Sequence, residues 1–140
     1  EQFGSREKLL TFYFTFFEML TANRSYVLFM LKEHREPLKN LSQLKGLRKK
    51  IISFVKGLIE EDNKDKNVKL LQRNERIFSE AAWLQTLFLL KFWMDDHSPQ
   101  FEKTDVAIEK SVNTVFDVFD NTPLERVLDF GKFLFKERMA

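Results

Sequence analysis

The sequence predicts an all-α fold, a bundle of about six helices that forms a single domain over residues 1–140. The chain has 16 phenylalanines but only 4 glycines and 3 prolines. Bulky side chains with so few helix breakers suit long helices better than a turn-rich β-sandwich. Apolar residues also recur at steps of three and four rather than at alternate positions. A chain of 140 residues has room for one core, which leaves a helical bundle as the simplest fold.

Two helices are predicted at the N-terminal end. Ser5 is the expected cap of the first, whose apolar residues run to Leu20 and cover almost every face. Asn23 is the expected cap of the second helix. Pro37 ends this second helix because proline disfavours helical backbone at the residue before it.

The third helix is predicted from an amphipathic pattern that starts near Leu38 and continues to Leu58. Lysine and arginine side chains occupy the face opposite the apolar residues. Residues 61–67, EDNKDKN, contain no apolar member and predict a solvated, mobile loop.

The most apolar segment is Ala81–Met94, AAWLQTLFLLKFWM, in a helix expected to begin near Asn74 or Glu75. Eleven of its fourteen residues are apolar, so every face of the helix should need cover from the core, a ligand or another subunit. The run is shorter than the roughly 20 residues needed to cross a bilayer, and we therefore expect no membrane span.

Two further helices follow. Thr104 is expected to cap the first, with Asp105 favourably placed near its positive N-terminal end. The segment Thr122–Glu125 has the form of a capping box with proline at the first helical position. Gly131 lies inside the last helix, where it costs roughly 1 kcal/mol relative to alanine, and this favours close packing of another backbone at that point.

Composition argues against catalysis, metal binding and nucleic-acid binding by these residues. A net charge of +2 is too small for a nucleic-acid surface. The chain has no cysteine, no phosphate-binding glycine loop and no nucleophile elbow. The adjacent Asp95, Asp96 and His97 should point in different directions at a solvated helix end rather than converge on an ion. We therefore expect no catalytic residue, no cofactor and no metal.

Two carboxylates, Glu18 and Glu80, lie among large apolar residues, where an unpaired charge is costly. The more common outcome is that each lies at the margin of its helix or pairs with a nearby Arg24, Arg73 or Arg76; the alternative is that it anchors a polar atom of a ligand. The aromatic residues of the first and central helices also exceed what one small core needs. This surplus indicates a ligand cavity, a dimer interface, or both.

Three segments resemble the effector domain of TetR-type bacterial transcription regulators, in particular the forms found in Bacteroidetes. They are REKLLTFYFTFFEMLTANRSYVLFML, RNERIFSEAAWLQTLFLLKFWMDDHSPQFEKTD and LERVLDFGKFLFKE, and together they cover nearly the whole chain. The resemblance implies a cytoplasmic domain that senses a small hydrophobic effector and forms a homodimer. The family's N-terminal helix-turn-helix domain has no counterpart in these residues, so we expect DNA contact only through that missing domain.

The resemblance also implies two sets of site residues, because in the family the earlier helices surround the effector and the last helices pair between subunits. The implied ligand-binding residues are Phe12, Tyr13, Phe16, Phe17, Phe54, Phe78, Trp83 and Gln85. The implied dimer-interface residues are Val112, Phe116, Phe119, Val127, Phe130, Gly131 and Leu134. The alternative is a helical lipid-binding protein on the same scaffold with no role in DNA binding, as in the similar lipid-binding protein of mitochondrial ubiquinone biosynthesis.

Overall fold

The fold is all-α, as predicted. A computed structural model describes residues 4–33, 44–64, 73–121 and 124–139, and within these ranges it contains six α-helices and no strand. The helices are α1 (Ser5–Ala22), α2 (Arg24–Glu33), α3 (Lys45–Lys64), α4 (Glu75–Asp95), α5 (Glu102–Asn121) and α6 (Leu124–Met139), with a short 3-10 turn, Pro99–Phe101, before α5. None of the helices in these ranges is both long and apolar enough to cross a membrane.

Helix α4 is the centre of the domain and packs against both α3 and α5, while α1 lies against α3 and α5. The core between them is continuous. Its largest fully buried side chains are Trp93, Tyr13, Phe78 and Phe116. The rings of Phe78 and Phe116 meet edge to face at 4.7 Å, which joins the start of α4 to the end of α5. The two helices are therefore antiparallel neighbours.

One face of α4 is not covered by the described chain. Leu84 is 66% exposed and Phe88 is 56% exposed, one helical turn apart. The described chain covers the sides of this helix that face α3 and α5, and for this third side a ligand or a second subunit stays the predicted cover.

Several helix ends differ from the predictions, and two of the expected capping side chains bond to other groups. Gly4, not Ser5, occupies the cap position of α1, and the Ser5 hydroxyl instead donates to Asp62 on α3 at 3.2 Å. The Asn23 side chain donates back to the carbonyl of Met19 at 3.0 Å rather than capping α2. Helix α3 extends to Lys64, so the first four residues of the predicted loop 61–67 are helical. Pro37 and Leu38 lie outside the described residues.

Asp96 connects the end of α4 to the start of α5. Its carboxylate accepts hydrogen bonds from the Ser98 amide at 2.8 Å and hydroxyl at 2.6 Å, and from the Thr104 amide at 3.0 Å and hydroxyl at 2.7 Å. The prediction that Thr104 caps this helix is therefore wrong. Thr104 lies inside α5, and the Asp96 carboxylate accepts the hydrogen bonds at the start of the helix. Burial alone would raise the pKa of the Asp96 carboxyl, but these hydrogen bonds outweigh it and lower the pKa to about 2.

Arg73 connects α4 and α5 at the opposite end of the pair. It precedes Asn74, whose side chain accepts from the Ile77 amide at 2.9 Å and caps α4. The Arg73 guanidinium bonds to Asp120 at the end of α5 at 2.7 Å and also to Asp62 on α3. The capping box proposed at Thr122–Glu125 lies outside the described residues and side chains.

Candidate ligand-binding groove

An apolar groove of about 760 Å³ runs along the uncovered face of α4, between that helix and α5. Its apolar walls are Ala81, Leu84, Phe88 and Phe92 from α4 and Val106, Ala107 and Val115 from α5. Ala81 and Phe92 are eleven residues apart on one helix, so the groove is about 16 Å long. Its volume falls in the range of small-molecule sites, roughly 300–1,000 Å³.

The floor of the groove contains a polar pair, Gln85 and Ser111, among apolar neighbours. The Gln85 side-chain nitrogen donates to the Ser111 hydroxyl oxygen at 2.8 Å, and the Ser111 hydroxyl donates to the carbonyl of Ile108 at 3.1 Å. Gln85 is 6% exposed, and its Oε1 has no hydrogen-bond partner among the described residues. A buried acceptor with no donor is costly, and such groups are uncommon in native proteins.

The charge that lines the groove is entirely positive. Lys103 and Lys110 both lie on α5 at the rim, and the described residues that line this groove include no acidic one. Within the described ranges neither lysine forms an ion pair. The rim is therefore suited to an anionic group rather than a cationic one.

A depression of about 630 Å³ continues from the Phe92 end of the groove toward the turn at Asp96. Its walls include Phe88, Lys103 and His97 as well as an ion pair between Lys91 and Asp95 at 2.8 Å. No group of three metal-ligating side chains occurs among the described residues. The groove thus changes from apolar to charged toward this end.

A second, smaller cavity of about 350 Å³ lies on the other side of α4, beside Phe17 and Trp93. Glu18 and Asp105 line it, and the pKa of Asp105 is raised by partial burial and by the nearby carboxylates of Asp96 and Glu18. The adjoining Gln100 has a φ of 55°, which is strained for a non-glycine residue.

The predicted ligand-binding residues do not surround one cavity. Gln85 lines the groove and Phe17 lines the smaller cavity, whereas Tyr13, Phe78 and Trp83 are core residues. The Tyr13 hydroxyl lies 2.8 Å from that of Thr86 and donates to the Ala82 carbonyl at 3.0 Å, and burial raises the pKa of the phenol.

The remaining three predicted pocket residues form an aromatic cluster between α1 and α3. The ring centre of Phe12 is 5.8 Å from that of Phe16 and 4.8 Å from that of Phe54. This cluster lies outside the groove.

The predicted interface residues divide between the core and the surface. Val112 and Phe116 are buried in the domain's own core, so their side chains are not presented to a second subunit. Phe119 packs on Phe78 with ring centres 4.8 Å apart. Phe130, Gly131 and Leu134 on α6 are exposed, and the side chain of Val127 lies outside the described residues. A Cβ placed at Gly131 would meet no atom of the described residues within 4 Å, so no backbone of these ranges packs there.

Sequence reasoning missed most of the α5 side of the groove. Val106 and Ala107 do carry a signal in the sequence. Both are apolar, yet they lie beside the buried stripe of Ile108 and Val112 rather than in it. Nothing in the sequence marked Ser111 as the partner of Gln85. Glu80 does form an ion pair, but with Arg48 at 2.8 Å rather than with Arg73 or Arg76.

A comparison with protein families gives one match. The family described as tetracyclin repressor-like, C-terminal domain, matches residues 8–134. Comparisons with curated proteins and with solved structures give no match.

Proposed function

Because the chain belongs to the family of tetracyclin repressor-like C-terminal domains, we propose that it is the effector-sensing and dimerisation domain of a transcription regulator. Domains of this family belong to regulatory proteins rather than to enzymes. The observation that carries the sensing role is the groove between α4 and α5, with its apolar walls and its unpaired Gln85 acceptor. We assign the effector to this groove rather than to the aromatic cluster between α1 and α3.

The position of the groove supports a role in signalling. Its two walls are α4, the centre of the domain, and α5, which leads directly to α6. An effector controls a regulator by binding one conformation more tightly than another, and helices that contact both effector and core can carry that preference. In the intact regulator a helix-turn-helix domain outside these residues would bind DNA in the cytoplasm.

Exposed apolar residues on α6 support the dimerisation role. Phe130 and Leu134 are one turn apart, and Phe133 and Phe135 extend the apolar surface. Contiguous exposed apolar side chains on a helix are typical of a surface that a partner covers. In this proposal α6 pairs with α6 of a second copy, and Gly131 allows the two backbones to approach closely.

The sensing role can be tested by filling the groove. Leu84 is largely exposed, so Leu84→Trp adds bulk to the groove wall without disturbing the core. Binding of Nile red, a neutral apolar dye, is measured by fluorescence for the unaltered protein, for Leu84→Trp and for Met19→Trp. Met19 is a matched control because it is an exposed apolar residue on α1, outside the groove.

We expect dye binding to weaken roughly tenfold in Leu84→Trp and to stay unchanged in Met19→Trp, since a tryptophan occupies much of the apolar site. Equal binding by all three proteins would refute the groove as the effector site. Recovery of the complete reading frame then separates a regulator from a lipid-binding protein on the same scaffold. An adjoining helix-turn-helix of roughly 50 residues supports the regulator.

A further inference from the structure

The polar groups of the groove define the chemistry of the molecule that fits it. The Ser111 hydroxyl donates its proton to the Ile108 carbonyl, since a carbonyl can only accept. With the nitrogen of Gln85 as the atom 2.8 Å from the Ser111 oxygen, both hydrogen bonds are made. In this orientation Oε1 is an acceptor with no hydrogen-bond partner among the described residues.

The place of Gln85 along the groove sets where a donor on the ligand must lie. Gln85 is four residues from Ala81 and seven from Phe92, which are about 6 and about 10 Å along the helix axis. A donor that reaches Oε1 therefore belongs in the middle part of an elongated ligand. Oε1 itself is buried, so a donor reaches it only if a neighbouring side chain moves. Leu84 and Phe88, the neighbours of Gln85 along this face, are more than half exposed, and exposed side chains change rotamer readily.

The lysine side chains at the rim set a requirement on the charge of the ligand, in addition to those on its shape and its hydrogen-bond donor. Lys103 and Lys110 are seven residues apart on α5, so two ammonium groups stand along one edge of an otherwise uncharged groove. An anionic group inside the groove would meet these two cations, whereas the carboxylates of Asp95, Asp96 and Glu102 line the adjoining depression beyond Phe92. The shape, the acceptor and the charge are independent properties of the same site.

We propose that the groove binds an elongated, largely apolar carboxylic acid that carries a hydroxyl or another hydrogen-bond donor near the middle of its chain. The apolar chain lies against Leu84, Phe88 and Val106, the donor satisfies Gln85, and the carboxylate lies at the lysine rim. This inference rests on the proposed function because it takes the groove as the effector site.

The donor requirement is tested with two probes, dodecanoic acid and the same acid with a mid-chain hydroxyl group. Their dissociation constants are measured by calorimetry at low ionic strength for the unaltered protein and for Gln85→Leu. We expect the unaltered protein to bind the hydroxy acid roughly fivefold more tightly than dodecanoic acid, and Gln85→Leu to lose that preference. The same preference in both proteins, or none in either, overturns the role of Gln85.

The charge requirement is tested with a matched pair of double variants. Lys103→Glu/Lys110→Glu reverses the rim charge, and Lys49→Glu/Lys50→Glu makes the same change on exposed residues of α3 outside the groove. We expect binding of either acid to weaken at least roughly tenfold in the rim variant but little in the control, because only the rim charges act at short range. Equal weakening in both variants would show that overall charge, not the rim, attracts the acid.

Binding of Nile red to the same proteins separates the proposed effector site from the proposed chemistry of the ligand. If the dye binds and Leu84→Trp blocks it while neither acid binds the unaltered protein, the groove remains a ligand site and the inferred acid is wrong. If Leu84→Trp affects neither the dye nor the acids, the proposed function fails together with this inference. Melting curves confirm that each variant is folded before binding is measured.

Discussion

The guanidinium of Arg24 lies 4.6 Å above the ring of Trp93 and donates a hydrogen bond to the backbone carbonyl of that same residue at 3.0 Å. It also donates to the carbonyl of Met94 at 3.0 Å and lies 4.5 Å from the ring of Phe101. These carbonyls belong to the last turn of α4, where the regular helical hydrogen bonds run out. The Trp93 carbonyl also accepts from the Asp96 amide at 3.2 Å. The guanidinium of Arg24 on α2 and this amide together cap the C-terminal end of the central helix.

Replacing this residue should destabilise the whole domain. We expect Arg24→Ala to lower the free energy of unfolding by about 2 kcal/mol, since charge-assisted hydrogen bonds and a cation–π contact are lost together. Arg24→Lys should recover only part of the lost free energy, because an ammonium group lacks the planar, forked arrangement of donors with which a guanidinium bonds two carbonyls at once. Urea unfolding measures both, with the exposed Arg126→Ala as control. Equal stability of Arg24→Ala and the control would contradict the capping role.

Stability should depend on pH through Asp96. The folded state holds the pKa of this carboxyl at about 2, below its ordinary value of 3.8. The ionised form is therefore favoured by folding, and its contribution is complete above about pH 5 and is lost as the pH falls through the range from 4 to 2. Asp96→Asn should cost about 2 kcal/mol at neutral pH.

The check is a series of thermal melts of both proteins from neutral to acidic pH. We expect Asp96→Asn to melt roughly 6 °C lower at pH 7 and the difference to shrink as the pH approaches 2. A difference that stays constant with pH would show that the ionised carboxylate is not the source of the effect.

The buried hydroxyl of Tyr13 should contribute to stability rather than to ligand binding. Tyr13→Phe removes its bonds to Thr86 and to the Ala82 carbonyl and should lower the unfolding free energy by about 1 kcal/mol. Nile red binding should be unchanged because Tyr13 does not line the groove. Tyr26→Phe, at an exposed tyrosine, is the matched control. Weaker dye binding in Tyr13→Phe alone would place the ligand on the α1 side of α4.

The dimer proposal makes a prediction about α6. Phe130→Asp with Leu134→Asp should shift the protein from dimer to monomer at micromolar concentration, because two charges would have to be buried in the interface. Sedimentation velocity measures the change. Met19→Asp introduces a charge at an exposed apolar position on α1 and should leave the dimer intact. A dimer that survives both substitutions on α6 would assign the contact to another surface.

Much of the helical architecture follows from the sequence, because the spacing of apolar residues records which side of each helix faces the core. The stripe through Ile108, Val112 and Phe116 is an example, and all three are buried. The resemblance implied Val112 and Phe116 as dimer-interface residues, but both side chains are buried in the core of this chain. Periodicity identifies a face that needs cover but not whether the cover comes from the same chain.

The predicted helix caps failed where the side chain bonds to a group other than the amides at the start of its helix. Ser5 bonds to a residue 57 positions away, and Thr104 is bonded by Asp96, which sequence reasoning treated as solvated. The groove could be predicted only in part, because a contact between side chains far apart in the sequence leaves no local pattern. Gln85 stood out as a polar residue in an apolar run, but its partner Ser111 lies 26 positions later.

The attachments at the two ends of the α4–α5 pair have a consequence for selectivity. Asp96 at the end of α4 is bonded to Thr104 of α5, and at the other end Arg73, just before α4, is bonded to Asp120 of α5. Because the helix pair is bonded at both ends, the two helices resist separation, and their backbones set the spacing of the groove walls. The adjustable part is the row of exposed side chains, Leu84, Phe88 and Val106. Substitutions at these three positions offer a way to retune which molecules enter without rebuilding the domain.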